Sequence, residues 1–297
     1  MAGLKEVRLR ISSVKTTLQI TSAMKLMAAS KLRKAQTAIL RLRPYALKLN
    51  EILQNLSSSI GDSGEDMYIK QRAPEKILLI VIASNRGLCG SFNMNVIKMT
   101  NNLISGTYAA QFRKDNVNLV CIGKKVSDYF RKRNYKVIEV RDDLFDNLAY
   151  ENVIPLAEKV MKAFVDKEYD EIFIIYNQFK NAAVQQLQVE QYLPIKPQPE
   201  VHKAVKTTVL SNYIFEPDKE TIIRELIPKS LRIQLYKAIL DSFASEQGAR
   251  MTAMQKATDN AQEMIRDLQL SYNKARQAAI TKELLEIVSG AEALKGQ

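Results

Sequence analysis

The stretch LKEVRLRISSVKTTLQITSAMKLMAASKLRKAQTAILRLRPYALKLNEILQNL, residues 4–56, decides the fold. Steps of alternately three and four residues meet Leu4, Val7, Ile11, Val14, Leu18, Thr21, Lys25, Ala28, Leu32, Ala35, Ile39, Leu42, Ala46, Leu49, Leu53 and Leu56, of which fourteen are apolar. A seam with that 3.5-residue period calls for a supercoiled helix with a partner helix. At 1.5 Å per residue the helix reaches roughly 80 Å, longer than a globular domain of this size is wide. Pro44 sits inside it, where a proline either kinks the helix or removes one hydrogen bond.

The far end of the chain repeats the behaviour. No proline follows Pro228, and the only glycine between it and Gly290 is Gly248. The expected seam there includes Leu240, Phe243, Met254, Ala257, Ala261, Met264 and Leu268, then drifts to Tyr272, Ala275 and Ala279, with Gln247 and Arg250 interrupting it. Two seams at opposite ends of one chain can pair antiparallel if the middle folds back as a compact unit.

The middle alternates short β-rich apolar runs with helical patterns. Lys76–Ala83, Asn118–Ile122, Lys136–Val140 and Glu171–Tyr176 read as strands, and Asn95–Ile104, Lys125–Arg133 and Pro155–Val165 as helices. Such alternation implies a parallel sheet, and the polar-alternating Ala182–Gln191 suggests an antiparallel strand at its edge. Linkers are expected at Ser57–Pro74 and at Leu193–Thr208, which carries three prolines. The expected class is therefore α/β: long N- and C-terminal helices in an antiparallel coiled coil plus a central Rossmann-like parallel-sheet domain. The divisions are 1–56, 75–192 and 209–297.

Composition bounds the function. The 297 residues include 46% hydrophobic ones, enough for a core, with 10 Gly, 8 Pro and no Trp, which favours long helices over a loop-rich β fold. The longest apolar run, Ile77–Ala83, is far short of the roughly 20 residues needed to cross a bilayer. Met1–Arg10 is charged and lacks the apolar region of a secretory signal, so the expectation is a protein acting in the compartment that makes it, a bacterial cytoplasm. Cys89 and Cys121 form no CxxC motif and read as buried thiols, and the single histidine, His202, has no neighbour to complete a metal site. No cofactor or metal is expected.

The loop Ser84–Asn93 carries Gly87 and Gly90 between a strand and a helix, where many α/β proteins bind phosphate. Its G-x-x-G spacing matches neither G-x-G-x-x-G nor G-x-x-x-x-G-K-[ST], so the bland reading, a tight packing turn, is preferred. Asp142, Asp143 and Asp146 read as a solvated turn, and no catalytic constellation is found. The net charge of +12 is concentrated: Met1–Arg43 holds ten Lys or Arg against one acid, Glu6, while Lys229–Gln297 holds ten against eight. A basic helix admits a nucleic acid, an anionic membrane surface or an acidic protein as partner. The basic stretch lacks stacking aromatics, with Tyr45 alone at its edge, which weighs against nucleic acid. Its narrow seam weighs against a membrane.

Three stretches resemble the γ subunits of F-type ATP synthases: ITSAMKLMAASKLRKAQ (20–36), RGLCG (86–90) and ASEQGARMTAMQKATDN (244–260), the last continued by LSYNKARQAAITKELLEIVSG (270–290). The resemblance implies that the terminal helices form a shaft inside a ring of α and β subunits. Further implied contacts are the ε subunit and the membrane c-ring, with the membrane touched only through the complex, at the cytoplasmic face. It implies a rotor that couples ion flow to catalysis in β and is not itself catalytic. It also implies contacts of Arg276, Gln277 and Thr281 with a β-subunit loop, of Met24 and Arg250 where the helices meet a β subunit, and of Lys25, Lys31 and Arg33 with acidic β surface. The absence of a cysteine pair in 193–208 argues against the thiol-regulated plastid form. The competing readings are a basic coiled-coil adaptor and an α/β nucleotide-binding enzyme with helical tails.

Overall fold

A computed structural model describes residues 4–57, 68–195 and 219–295. Two long helices, α1 (Leu4–Ser57) and α6 (Lys219–Lys295), flank a mixed α/β segment. In that segment β1 (Ile77–Ile82), β2 (Val117–Ile122), β3 (Val137–Val140), β4 (Glu171–Phe179) and β5 (Gln185–Leu193) form one sheet in the order β3-β2-β1-β4-β5. Four strands run parallel, and β5 returns antiparallel beside β4, with Ile175 opposite Val189. The helices between are α2 (Phe92–Asn102), α3 (Ala109–Arg113), α4 (Lys124–Arg131) and α5 (Tyr150–Val165), with a π-helical turn at Leu103–Thr107. Every strand expected from the apolar runs is present, and β5 lies at the edge as its alternating pattern requires.

The central strand shows why. All six residues of β1, ILLIVI, are buried, because a parallel strand covered on both faces has no solvent side to spend polar residues on. One face carries Ile77, Leu79 and Val81 with Val96, Ile97, Val126 and Phe130 of α2 and α4. The other carries Leu78, Ile80 and Ile82 with Leu156, Val160 and Phe164 of α5, and also Ile227, Leu231, Leu235 and Ile239 of α6. The first turns of α6 thus complete the α/β core. Tyr192 makes the link polar as well as apolar, its hydroxyl donating to the Leu231 carbonyl at 3.1 Å.

By contacts the chain divides into two compact units, residues 1–29 with 250–297, and residues 30–249. In the first unit every expected seam position of α1 from Leu4 to Ala28 is buried or half-buried, while most residues between them are exposed. Thr258 of α6 bonds Thr21 of α1 across this seam at 2.9 Å. In the second unit Leu32, Ala35 and Leu49 are buried, and Lys229 lies 6.0 Å from the Tyr45 ring centroid. Numbers that fall along α1 meet numbers that rise along α6, so the helices run antiparallel. Both continue through a proline, Pro44 in α1 and Pro228 in α6, each of which removes one amide donor without ending the helix.

The α6 seam needs one correction. Met264 is 50% exposed, and Ile265 is half-buried in its place. The less exposed row runs Met254, Thr258, Ala261, Ile265, Leu268, Tyr272, Ala275, Ala279, an unbroken alternation of four and three. Two phases fit the composition, and the one chosen from Met254 by a step of three falls one residue short of the observed row at Ala257 and Met264, while the two coincide at Ala261 and from Leu268 onward. Expectations on His202, and the greater part of both linkers, lie outside the described residues, as do the side chains of Leu53 and Leu56.

Candidate functional site

The loop after β1 spends its polar groups on itself. Asn93 Oδ1 accepts from the Ser84 amide at 2.9 Å, and Asn93 Nδ2 donates to Cys89 Sγ at 3.3 Å. Asn85 Nδ2 donates to the Asp142 carbonyl at 2.8 Å, and Asn85 Oδ1 accepts from the Lys124 amide at 3.0 Å. Gly90 takes a φ of 60°, which a glycine adopts without strain. Asn85 and Asn93 thereby tie the ends of β1 and β2 and the start of α2 into one packed turn. Asp143 is likewise engaged: the Arg141 guanidinium meets both its oxygens at 2.8 Å and holds its carboxyl below the usual carboxylate range. The acidic run is therefore a braced turn and not a purely solvated one. Cys89 and Cys121 are both buried, and burial pushes the Cys121 thiol up to about 12, outside the range of a reactive thiolate.

The residues singled out on the long helices lie on two kinds of surface. In the first unit Met24, Lys25 and Arg250 are half-buried. With Thr21 opposite Thr258, an antiparallel register puts all three within about two or three turns of that bond. Arg276, Gln277 and Thr281 are exposed. Arg276 is eighteen residues beyond Thr258, roughly 27 Å along α6, so these two groups form separate contact points and not one site. Gln277 and Thr281 share an exposed face one turn apart, and the Thr281 hydroxyl donates to the Gln277 backbone carbonyl at 2.9 Å. Ala275 and Ala279 face the seam, which keeps the helix slim there. Lys31 and Arg33 belong to the second unit, where both are exposed beside the buried Leu32 and Ala35. Ser30, Arg33, Lys34 and Thr37 line a shallow open depression of about 370 Å³.

Two features were not anticipated. The first is the last part of α6, where Ile280, Leu284, Leu285, Ile287 and Val288 are each about half or more exposed. Apolar side chains gathered on one bare helix end mark a surface that another molecule covers. The signal was present in the run LLEIV, but periodicity alone could not say that no helix among the described residues buries it. The second is a polar stretch of α6, Asp241–Gln247, nearly all of it buried, with Asp241, Ser242, Ser245, Glu246 and Gln247 each under a tenth exposed. Its only sequence trace was the interruption of the seam at Gln247.

No helix among the described residues is long and apolar enough to cross a membrane, and no group of three or more His, Cys, Asp or Glu among them could hold a metal ion.

Comparison with known proteins adds the following. A family model described as ATP synthase matches residues 3–294. The chain is 55% identical over 297 residues to the ATP synthase gamma chain of Flavobacterium psychrophilum, covering all of both chains. It is 45% identical to the ATP synthase gamma chain of Chlorobaculum tepidum, covering 99% of this chain and all of that one. Among solved structures, a chain of the central stalk and c-ring assembly of the Tetrahymena thermophila mitochondrial ATP synthase is similar at 26% identity with a TM-score of 0.60. That match covers 80% of this chain and 99% of the other. A chain of the Euglena gracilis mitochondrial enzyme shares the fold at 20% identity with a TM-score of 0.67, covering 98% and 94%.

Proposed function

The chain belongs to the family of ATP synthase γ chains, and from that premise we propose which of its surfaces transmit motion, and to what. It is the non-catalytic central shaft of the F-type rotor, a peripheral subunit of a complex whose catalysis resides in the β subunits. The readings as a nucleotide-binding enzyme or a coiled-coil adaptor are not favoured.

The finer assignment is our own. The shaft consists of residues 1–56 paired with 209–297, the base of 75–192, and the shaft turns inside a hexamer of α and β subunits. The base meets the ε subunit and the membrane c-ring at the cytoplasmic face of a bacterial membrane. Arg276, Gln277 and Thr281 engage a polar loop of β, Met24 and Arg250 brace the helix pair against a second β segment, and Lys25, Lys31 and Arg33 face acidic β surface. One observation carries this reading: the outer face at Arg276 and Gln277 is polar and exposed on a helix narrowed by alanines, directly before an exposed apolar end. A guanidinium on a partner carboxylate in such a partly dried sleeve forms a charge-assisted bond whose truncation costs about 2 kcal/mol.

The contact forms in only some rotary states, so its loss acts on the barrier between states. Arg276→Ala with Gln277→Ala is expected to leave the complex assembled on native gels while slowing steady-state ATP hydrolysis and weakening ATP-driven ion pumping. Unchanged turnover in the assembled double variant removes these residues from the mechanism, and loss of assembly recasts them as structural.

A further inference from the structure

Side-chain bonds tie α6 to the sheet and its helices from more than one side, and none of them belongs to the partner contacts assigned above. Gln234 Nε2 donates to Glu190 Oε1 of β5 at 2.7 Å, and the Tyr176 hydroxyl of β4 donates to Glu190 Oε2 at 2.9 Å. Arg232 pairs with Glu158 of α5 at 2.9 Å. Between these two sits the Leu231 carbonyl, which accepts from the buried Tyr192 hydroxyl at 3.1 Å.

Their placement around the helix sets these bonds apart from ordinary packing. At 3.6 residues per turn Arg232 and Gln234 lie about 160° apart around the α6 axis, and Leu231 and Leu235, which enter the core, fall between them. Glu158 and Glu190 therefore grip α6 on opposite flanks of its apolar stripe. The stripe itself, Ile227, Leu231, Leu235 and Ile239, advances by four residues and so winds about 40° around the axis at each step. Apolar burial is non-directional, so a winding stripe holds the helix down while tolerating rotation about its axis. Hydrogen bonds are directional and end after a stretch of under about 1 Å. About 10° of rotation moves a group 5 to 6 Å from the axis by about that much. Glu190 does not follow such a movement, because Tyr176 holds its other oxygen. Its grip is the stronger one, with a charged acceptor shared by two donors, whereas the Arg232 pair is weakened by the 51% exposure of Glu158.

We propose that Glu190 and Glu158 are the positioning residues of a torsional clamp, which fixes the angle of α6 about its own axis and carries torque between the sheet and the helix. α6 continues from this joint as one helix to Lys295, so torque received here passes along it. That use of the clamp rests on the shaft role, whereas the grip on α6 does not.

The test uses the assembled complex fixed by its hexamer, with a probe attached at Lys132→Cys, an exposed position just after α4. With ATP withdrawn the rotor stalls, and the angular variance of the probe is inversely proportional to the torsional stiffness between probe and hexamer. Glu190→Ala with Glu158→Ala is expected to raise that variance by roughly two-fold or more, the rise that follows when half the stiffness is lost. Glu190→Gln with Glu158→Gln keeps an acceptor for Gln234 and for Arg232 and is expected to stay near wild type. Gln234→Leu keeps the apolar contact and leaves Glu190 bonded to Tyr176; it is expected to raise the variance alone, and it decides the matter if the double alanine chain does not assemble. An unchanged variance in the assembled double alanine complex or in Gln234→Leu overturns the proposal, and so does a rise as large in the glutamine pair. A lowered melting midpoint with unchanged variance assigns these residues to stability alone and likewise overturns it. A wild-type probe that never turns when ATP is supplied counts against the shaft role instead.

Discussion

At Gly123, where β2 ends and α4 begins, the backbone takes a φ of 107°, and an added Cβ would run into the Ala83 carbonyl at the end of β1. Both faults are backbone faults, which no side chain can relieve by turning. Gly123→Ala is therefore expected to cost about 3 kcal/mol or more, read as a lowered urea midpoint of the full chain by far-ultraviolet circular dichroism. An unchanged midpoint contradicts the geometry. Asp241 gives a second residue-scale prediction with a definite sign. Its folded carboxyl is raised from 3.8 to about 6, so the fold binds this proton more tightly than the unfolded chain does. The group is neutral in both states at low pH, its burial cost enters as pH rises through that window, and above it the cost is constant. Asp241→Asn is expected to stabilise the chain by on the order of 2 to 3 kcal/mol at pH 8 and by nothing near pH 3.5, in paired melts. Neither residue was legible beforehand. Gly123 is one glycine among ten, and Asp241 looks like any surface acid until the fold buries it.

The elements were far more legible, because period and length are averages over many residues. Fourteen apolar positions in the α1 seam outvote Thr21 and Lys25, and ILLIVI in β1 has no reading other than a doubly covered strand or a buried helix piece, which its length excludes. The weaker seam of α6 failed where alanines and methionines sit side by side and phase is decided by one residue. That failure makes a test. Ile265→Ser removes a half-buried group from the helix pair and is expected to lower the melting temperature of the full chain. Met264→Ser, on the exposed side, is expected to leave it within error. A buried aliphatic truncation costs about 1 to 3 kcal/mol, and an exposed one stays within about 0.5 kcal/mol, so the two are separable. The reverse order would restore the phase with Met264 inside. The Thr21 to Thr258 bond was also missed, since a hydroxyl pair in a seam reads from sequence as two interruptions of it.

At the scale of the whole molecule, the described residues leave apolar surface bare near the end of α6, at Ile280, Leu284, Leu285, Ile287 and Val288. The isolated chain is therefore expected to self-associate, and removal of residues 280–297 to return it to a monomer by light scattering on a sizing column. A full-length monomer at high concentration would show that this end needs no cover. The surfaces that β would touch are surfaces of an assembly, which is why the sequence reached them only through resemblance and not through any pattern of its own. The shaft role stands or falls on rotation. Because Cys89 and Cys121 are buried, a probe attached at Lys132→Cys, an exposed position just after α4, labels one place, and the assembled complex can be fixed by its hexamer and supplied with ATP. The shaft role predicts that the probe turns in one direction, at a rate that rises with ATP and stops when it is withdrawn. Steady ATP hydrolysis with a probe that stays still would contradict it.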